Sequence, residues 1–213
     1  MKEPNRISAS VIGRLPRYYR FLCELQNEGK IRISSSELSE KMGLTASQIR
    51  QDFNCFGGFG QQGYGYNVEQ LKNEMAHILD LSTLKNAILI GAGNLGRAVA
   101  SQMSFEEMGF KLTAIFDSEK RYEGLKIKGV PIFNSEALYD YCAENRPEMA
   151  ILCLPQEKAP AIVDELTLLG IGSFWNFSHY DIHSKYPDAN VENVHLSDSL
   201  MTLSYIIKNS ENR

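Results

Sequence analysis

Apolar residues early in the chain return at three- and four-residue steps: Ile12, Leu15, Tyr19, Leu22 and Leu25 predict an amphipathic helix capped by Ser8. Pro16 either kinks that helix or restarts it as a second one, and Gly29 ends it. Ile31 to Ile33 reads as a short extended piece, followed by Ser34, Ser35 and Ser36, any of which can cap the next helix. That helix, Glu37 to Met42, stops at Gly43. Thr45 with Gln48 three residues on then has the form of a capping box opening another helix, Ala46 to about Asn54. Leu38, Met42, Ile49 and Phe53 fall on the inner faces of this pair, which reads as a helix-turn-helix.

The glycine- and aromatic-rich stretch GGFGQQGYGY, residues 57–66, predicts a tight β-hairpin, a wing placed directly after the reader helix. Val68, Leu71, Met75, Ile78 and Leu79 then share one face of a helix, and the polar run 80–86 marks a domain boundary. Beyond it the period changes. AILI, then GAGNLGRAVASQM, then KLTAIFD read as strand, helix, strand; apolar strands at 149–154 and 172–177 alternate with helices at 135–144 and 156–169. The fold class is therefore α/β, an N-terminal winged-helix domain over residues 1–80 followed by a Rossmann-like doubly wound parallel sheet over 86–195. In residues 196–213 a last helix carries Leu196, Leu200, Leu203 and Ile207 on one face with no strand left to cover, so it is expected on another subunit.

The GxGxxG of residues 91–96 follows an apolar strand and opens a helix, the context that gives this weak motif meaning. Gly91 permits a tight turn, Gly93 lets backbone approach a pyrophosphate, and Gly96 allows close helix packing; Ala92, Asn94 and Leu95 complete the cradle. Asp117 ends the next strand 21 positions after Gly96, where a carboxylate accepts from ribose hydroxyls and repels a 2′-phosphate. The expected cofactor is NAD(H), with Lys120 and Arg121 tempering the choice against NADP(H). A domain binding coenzyme A through a similar turn is the alternative.

Charge adds an asymmetry: residues 1–66 hold nine Lys/Arg against six Asp/Glu, and the rest thirteen against twenty. A basic front on an acidic body suits a nucleic-acid-binding head. Ser47, Gln48, Arg50, Gln51 and Asn54 on the reader helix, Gln61 and Gln62 in the wing, and Arg14 are the residues expected to meet DNA. Arg14, Arg17 and Arg20 form a positive row. No stretch is long and apolar enough for a membrane span and the polar start lacks a signal-peptide core, so the expected location is the cytoplasm. Four cysteines, Cys23, Cys55, Cys142 and Cys153, show no CxxC spacing and read as reduced thiols. His179 and His183 have i, i+4 spacing but lie in an expected loop, so no metal site is assigned. The residues after the fingerprint finish a sheet without adding a substrate domain, and they contain no catalytic constellation. The expectation is a regulator and not an enzyme, a small dehydrogenase-like protein being the alternative.

Taken together, RLPRYYRFL (14–22), QIRQDFNCFG (48–57), FGxxGxGY (59–66), GAGNLGRA (91–98), FD (116–117) and VENV (191–194) resemble the redox-sensing transcriptional repressor family Rex over nearly the whole chain. The resemblance implies a homodimer that exchanges its C-terminal helix and binds an A/T-rich inverted repeat in double-stranded DNA. It further implies that NAD+ permits binding while NADH favours release. It also implies a sensing tyrosine after the fingerprint helix and an aspartate after VENV that pairs with an arginine of the winged domain. Gln102 stands at the tyrosine position and His195 at the aspartate position, while Arg20 is retained. Gln51, Gln61 and Gln62 replace basic residues usual at the DNA surface. The alternative function is a regulator that holds NAD(H) or coenzyme A without reading redox state.

Overall fold

The computed structural model describes residues 7–57 and 64–210. The chain divides into two compact units, Met1–Ser82 and Thr83–Arg213.

In the first unit α1 (Ala9–Ile12) ends at Gly13 and the chain restarts as α2 (Leu15–Asn27), with Pro16 in its first turn, where a missing N–H leaves no bond unmade. The restart resets the helical phase. Val11 and Tyr18 are therefore buried, whereas Ile12, expected inside, is half exposed. Ser34 caps α3 (Ser35–Met42) and Glu37 closes a reciprocal capping box with it. Gly43 ends α3 at φ +63°. Thr45 caps α4 (Ala46–Asn54) by accepting from the Gln48 amide. β1 (Arg32–Ile33) pairs antiparallel with β2 (Tyr66–Asn67), Ile33 opposite Tyr66, so the end of the wing segment is fixed beside the start of the helix-turn-helix. A Cβ on Gly65, at φ +69°, would lie 2.6 Å from the Ile33 carbonyl oxygen, which is why a glycine precedes the pairing. Most of the expected hairpin, with Gln61 and Gln62, lies outside the described residues. Asn67 caps α5 (Val68–Ile78), whose Val68, Leu71 and Met75 join Leu15, Tyr18, Leu22 and Phe53 in one core.

The second unit is a seven-stranded sheet flanked by helices. Its elements are β3 (Lys85–Ile90), α6 (Asn94–Gln102), β4 (Phe110–Asp117), β5 (Lys126–Ile127), β6 (Val130–Asn134), α7 (Leu138–Asn145), β7 (Met149–Leu152), α8 (Ala159–Leu168), β8 (Ser173–Asn176), β9 (Asn190–Asn193) and α9 (Leu196–Ser210). The order is β5-β6-β4-β3-β7-β8-β9, all parallel except the β5–β6 hairpin. The AILI run is apolar throughout because both sheet faces are covered: Ile88 and Ile90 pack in one core, Leu89 in the other. β5, β6 and β9 carry no such run and were not expected. β6 contains Pro131, and β9 is a largely exposed edge strand in which only Val191 packs inward. No helix among the described residues is long and apolar enough to cross a membrane.

Candidate nucleotide site and nucleic-acid interface

Strand order reverses between β3 and β7, so a crevice opens at their carboxyl ends, where open α/β sheets bind ligands. Its floor is backbone. The Gly91 amide donates to the Phe116 carbonyl and the Cys153 amide to that of Ile90, both at 2.8 Å. A Cβ on Gly91, which sits at φ +102°, would lie 2.3 Å from the Cys153 carbonyl oxygen. On Gly96 it would lie 1.8 Å from the Gly91 carbonyl oxygen, so these two glycines are required by the chain's own packing. Gly93 differs. Its backbone is ordinary and a Cβ there would meet nothing within 4 Å, so nothing in the fold demands glycine.

Gly93 is the N-cap of α6 and no side chain caps that helix, leaving its first amides directed at the crevice. Ala92 and Gly96 are buried; Asn94 and Leu95 are exposed. Asp117 reaches across from β4. One carboxylate oxygen accepts the Ala92 amide at 2.5 Å and the other accepts that of Glu119 at 2.8 Å. The carboxylate thus shapes the fingerprint turn, and each oxygen keeps a lone pair for a further donor. Arg121 is paired with Glu119 at 2.6 Å and lies over the Tyr122 ring. Burial alone pushes the Cys153 thiol up to about 12, so it is protonated at neutral pH.

On α4, Ile49, Asp52 and Phe53 turn inward, while Ser47, Arg50, Gln51 and Asn54 form an exposed stripe and Gln48 is half-buried. Arg50 donates to the Ser35 hydroxyl at 3.0 Å. Arg14, expected to meet DNA, is engaged inside its own unit: its Nε and Nη2 donate to both oxygens of Asp52, at 2.7 and 2.8 Å. Tyr18 donates its hydroxyl to the same carboxylate at 2.7 Å. Desolvation would raise the Asp52 pKa, but these donors outweigh it and hold it below the usual value. Burial, with the Asp52 hydrogen bond, pushes the Tyr18 hydroxyl well up. Arg17 donates to the Met42 carbonyl oxygen at 2.6 Å, tying α2 to the end of α3. Of the arginine row, Arg14 and Arg17 therefore brace the helix-turn-helix, and Arg20 is exposed.

Gln102 ends α6 and is exposed. His195 immediately precedes α9, and its Nδ1 lies 2.7 Å from that of His179. Sequence reasoning missed the Asp52 clamp. An acidic residue three places after an inward-facing Ile49 was its only trace. His179 was noticed for its spacing to His183, whereas the fold pairs it with His195 through adjacent parallel strands.

Residues 6–54 match the family model for a DNA-binding protein N-terminus, and residues 82–180 match the model for a CoA binding domain. The chain is 53% identical to the redox-sensing transcriptional repressor Rex of Thermoanaerobacter pseudethanolicus, covering 99% of this chain and 94% of that protein. It is 49% identical to that of Clostridium perfringens, over 99% of both. A crystal structure of RSP in complex with β-NAD+ and operator DNA is 53% identical, covers 96% of this chain and 94% of its own, and superposes with a TM-score of 0.88. One of RSP in complex with β-NADH is 49% identical, covers 97% of both chains and superposes at 0.89. With helix-turn-helix and glycine crevice matched along one continuous alignment, the chain belongs to the redox-sensing transcriptional repressor family Rex.

Proposed function

We propose that this protein is a homodimeric transcriptional repressor, working in the cytoplasm, whose hold on double-stranded operator DNA is set by the redox state of NAD(H). Gly93 carries the nucleotide half. It is a glycine that the fold itself does not need, at the uncapped start of α6, which is what close approach of a pyrophosphate to the backbone requires. Gly91 and Gly96 shape the turn, Ala92, Asn94 and Leu95 complete it, and Asp117 offers its remaining lone pairs to ribose hydroxyls. When bound, NAD(H) supplies a nicotinamide ring whose charge differs between its two redox forms.

The exposed stripe Ser47, Arg50, Gln51 and Asn54, with Gln48 at its edge, is the DNA-reading surface; Gln61 and Gln62, also expected to meet DNA, lie outside the described residues. Glutamine and asparagine pair bidentately with adenine, which suits an A/T-rich site. Fewer cations at this surface mean fewer phosphate contacts, each worth about 0.9 of slope in log affinity against log salt. α9 exposes Leu196, Leu200, Met201, Leu203, Tyr205, Ile206 and Ile207 in 15 residues, an apolar surface that a second copy covers, giving two heads for the two halves of an inverted repeat. Arg20, Gln102 and His195 occupy the switch positions. A redox switch needs the two cofactor forms to bind the two dimer arrangements unequally, since equal affinity shifts nothing.

The test is fluorescence anisotropy of the protein on its own upstream DNA, at fixed salt, with NAD+, with NADH and with neither. Release by NADH at concentrations where NAD+ leaves the complex intact supports the reading. Identical curves with all three overturn it, and a response to coenzyme A alone would favour the alternative of a coenzyme A-binding regulator.

A further inference from the structure

His179 and His195 converge on one point from different segments. His179 lies in the loop after β8, in the left-handed region at φ +61°, a conformation uncommon for residues other than glycine and one that needs support from its surroundings. The support is Asn176, which is 1% exposed. Its Oδ1 accepts from the Ser178 amide and hydroxyl at 3.0 and 2.6 Å, and its Nδ2 donates to the Tyr180 carbonyl oxygen at 2.9 Å. The same Nδ2 donates to the Asn193 side chain at 2.8 Å, and the Val194 amide donates to the Asn176 carbonyl at 2.9 Å. One buried asparagine therefore fixes the residues on both sides of His179 and those just before His195. The rings lie 4.7 Å apart, inclined by 36°.

An Nδ1···Nδ1 distance of 2.7 Å requires one ring to donate and the other to accept. Moving the shared proton to the outer nitrogen of its own ring leaves an Nδ1 lone pair on the facing edge of each ring, with no net change in protonation. Ligands at neighbouring positions of a tetragonal ion, each about 2.05 Å from the metal, stand about 2.9 Å apart, close to this separation. Both residues are reached by solvent, and among the described residues neither ring makes a hydrogen bond or ion pair with a charged side chain.

We propose that His179 and His195 form a binding site for a divalent transition-metal ion of tetragonal preference, with water completing its coordination. The buried Asn176 network holds the ligand-bearing segments in place beforehand, as outer hydrogen bonds do in built metal sites. Because the His195 carbonyl accepts from the Asp198 amide at 3.1 Å, an ion here also ties the root of α9 to the β8 loop.

Calorimetric titration of the untagged full chain with Ni2+ tests this. The expected result is one ion per chain. His179→Asn, which keeps a residue tolerant of the left-handed region, and His195→Asn should each weaken binding at least tenfold. His183→Asn should leave it unchanged, since that ring bonds elsewhere, to the Ala189 carbonyl oxygen at 3.1 Å. In the unaltered protein, paramagnetic Ni2+ should broaden the His179 and His195 ring resonances before those of His77 and His183. Absence of binding, unchanged affinity in the two asparagine variants, or broadening confined to other residues overturns the proposal.

Discussion

The Arg14 guanidinium on the first turn leading into α2 grips both oxygens of Asp52 on α4, at 2.7 and 2.8 Å, and so sets the position of the reader helix from within. With Asp52 only 3% exposed, an asparagine there leaves one acceptor oxygen for three donors, turns an NH2 group toward one of them and removes the charge that balances the guanidinium. Asp52→Asn should cost the first unit about 2–3 kcal/mol. Operator affinity should fall several-fold even though Asp52 faces away from the exposed stripe. Urea unfolding followed by circular dichroism, together with anisotropy on the operator, checks both.

The same clamp gives an acid dependence of definite sign. The folded-state pKa of Asp52 is depressed below its unfolded value of about 3.9, so its contribution is complete above that value and is lost as pH falls through the folded one. Glu37, held down to about 2 by Lys30 and the Ser34 cap, acts in the same direction. Thermal melts between neutral pH and pH 2 should therefore show the gap between the parent and Asp52→Asn narrowing in acid, with Glu37→Gln as the reference for the cap. A constant gap would deny the clamp its charge.

Gly93→Ala and Gly96→Ala separate folding from binding. A methyl at 93 meets nothing in the chain, so stability should change by no more than about 0.5 kcal/mol. NADH affinity, measured by calorimetry, should nevertheless drop at least tenfold. A methyl at 96 drives into the Gly91 carbonyl and should cost about 1–3 kcal/mol of stability as well as binding. Asp117→Ala should weaken NAD(H) too, by removing both the ribose acceptor and the brace on Ala92. Unchanged affinity in all three would remove the nucleotide from this crevice.

Leu200 and Leu203 are 68% and 49% exposed on α9. Leu200→Glu combined with Leu203→Glu should convert the proposed dimer to monomer in sedimentation velocity while leaving the far-ultraviolet spectrum nearly intact. A variant that still sediments as a dimer would place the subunit contact elsewhere.

At the proposed switch position His195 is a neighbour of His179 and not a carboxylate. NADH should release operator DNA less effectively from this protein than from His195→Asp, which puts back the acid implied at this position. Gel-shift titrations of both proteins at one salt concentration decide it, and equal midpoints would mean that the histidine serves as well as the acid.

Much of this was legible in the order of residues because it depends on local rules. A serine cap within 34–36, the cap at Thr45, the stop at Gly43, the change from helical period to the AILI run, and the turn at Gly91–Gly96 are each written within a few positions. They follow from backbone hydrogen bonding and from sheet faces covered on both sides. The polar edge strand β9 had no such signature, since its pairing with β8 is made by backbone groups that every sequence carries. Arg14 looked like a free cation, and only the packing of α2 against α4, 38 residues apart, gave it a buried carboxylate. His179 and His195 were likewise assigned to separate stories until adjacent parallel strands brought their rings together. Sequence alone determined most helices, the central apolar strands and the glycine turn at 91–96, because these are short-range consequences of sterics and apolar burial. Tertiary structure decided which charged and titratable side chains meet, because Coulomb and hydrogen-bond partners are chosen by distance in space, which the order of residues does not state.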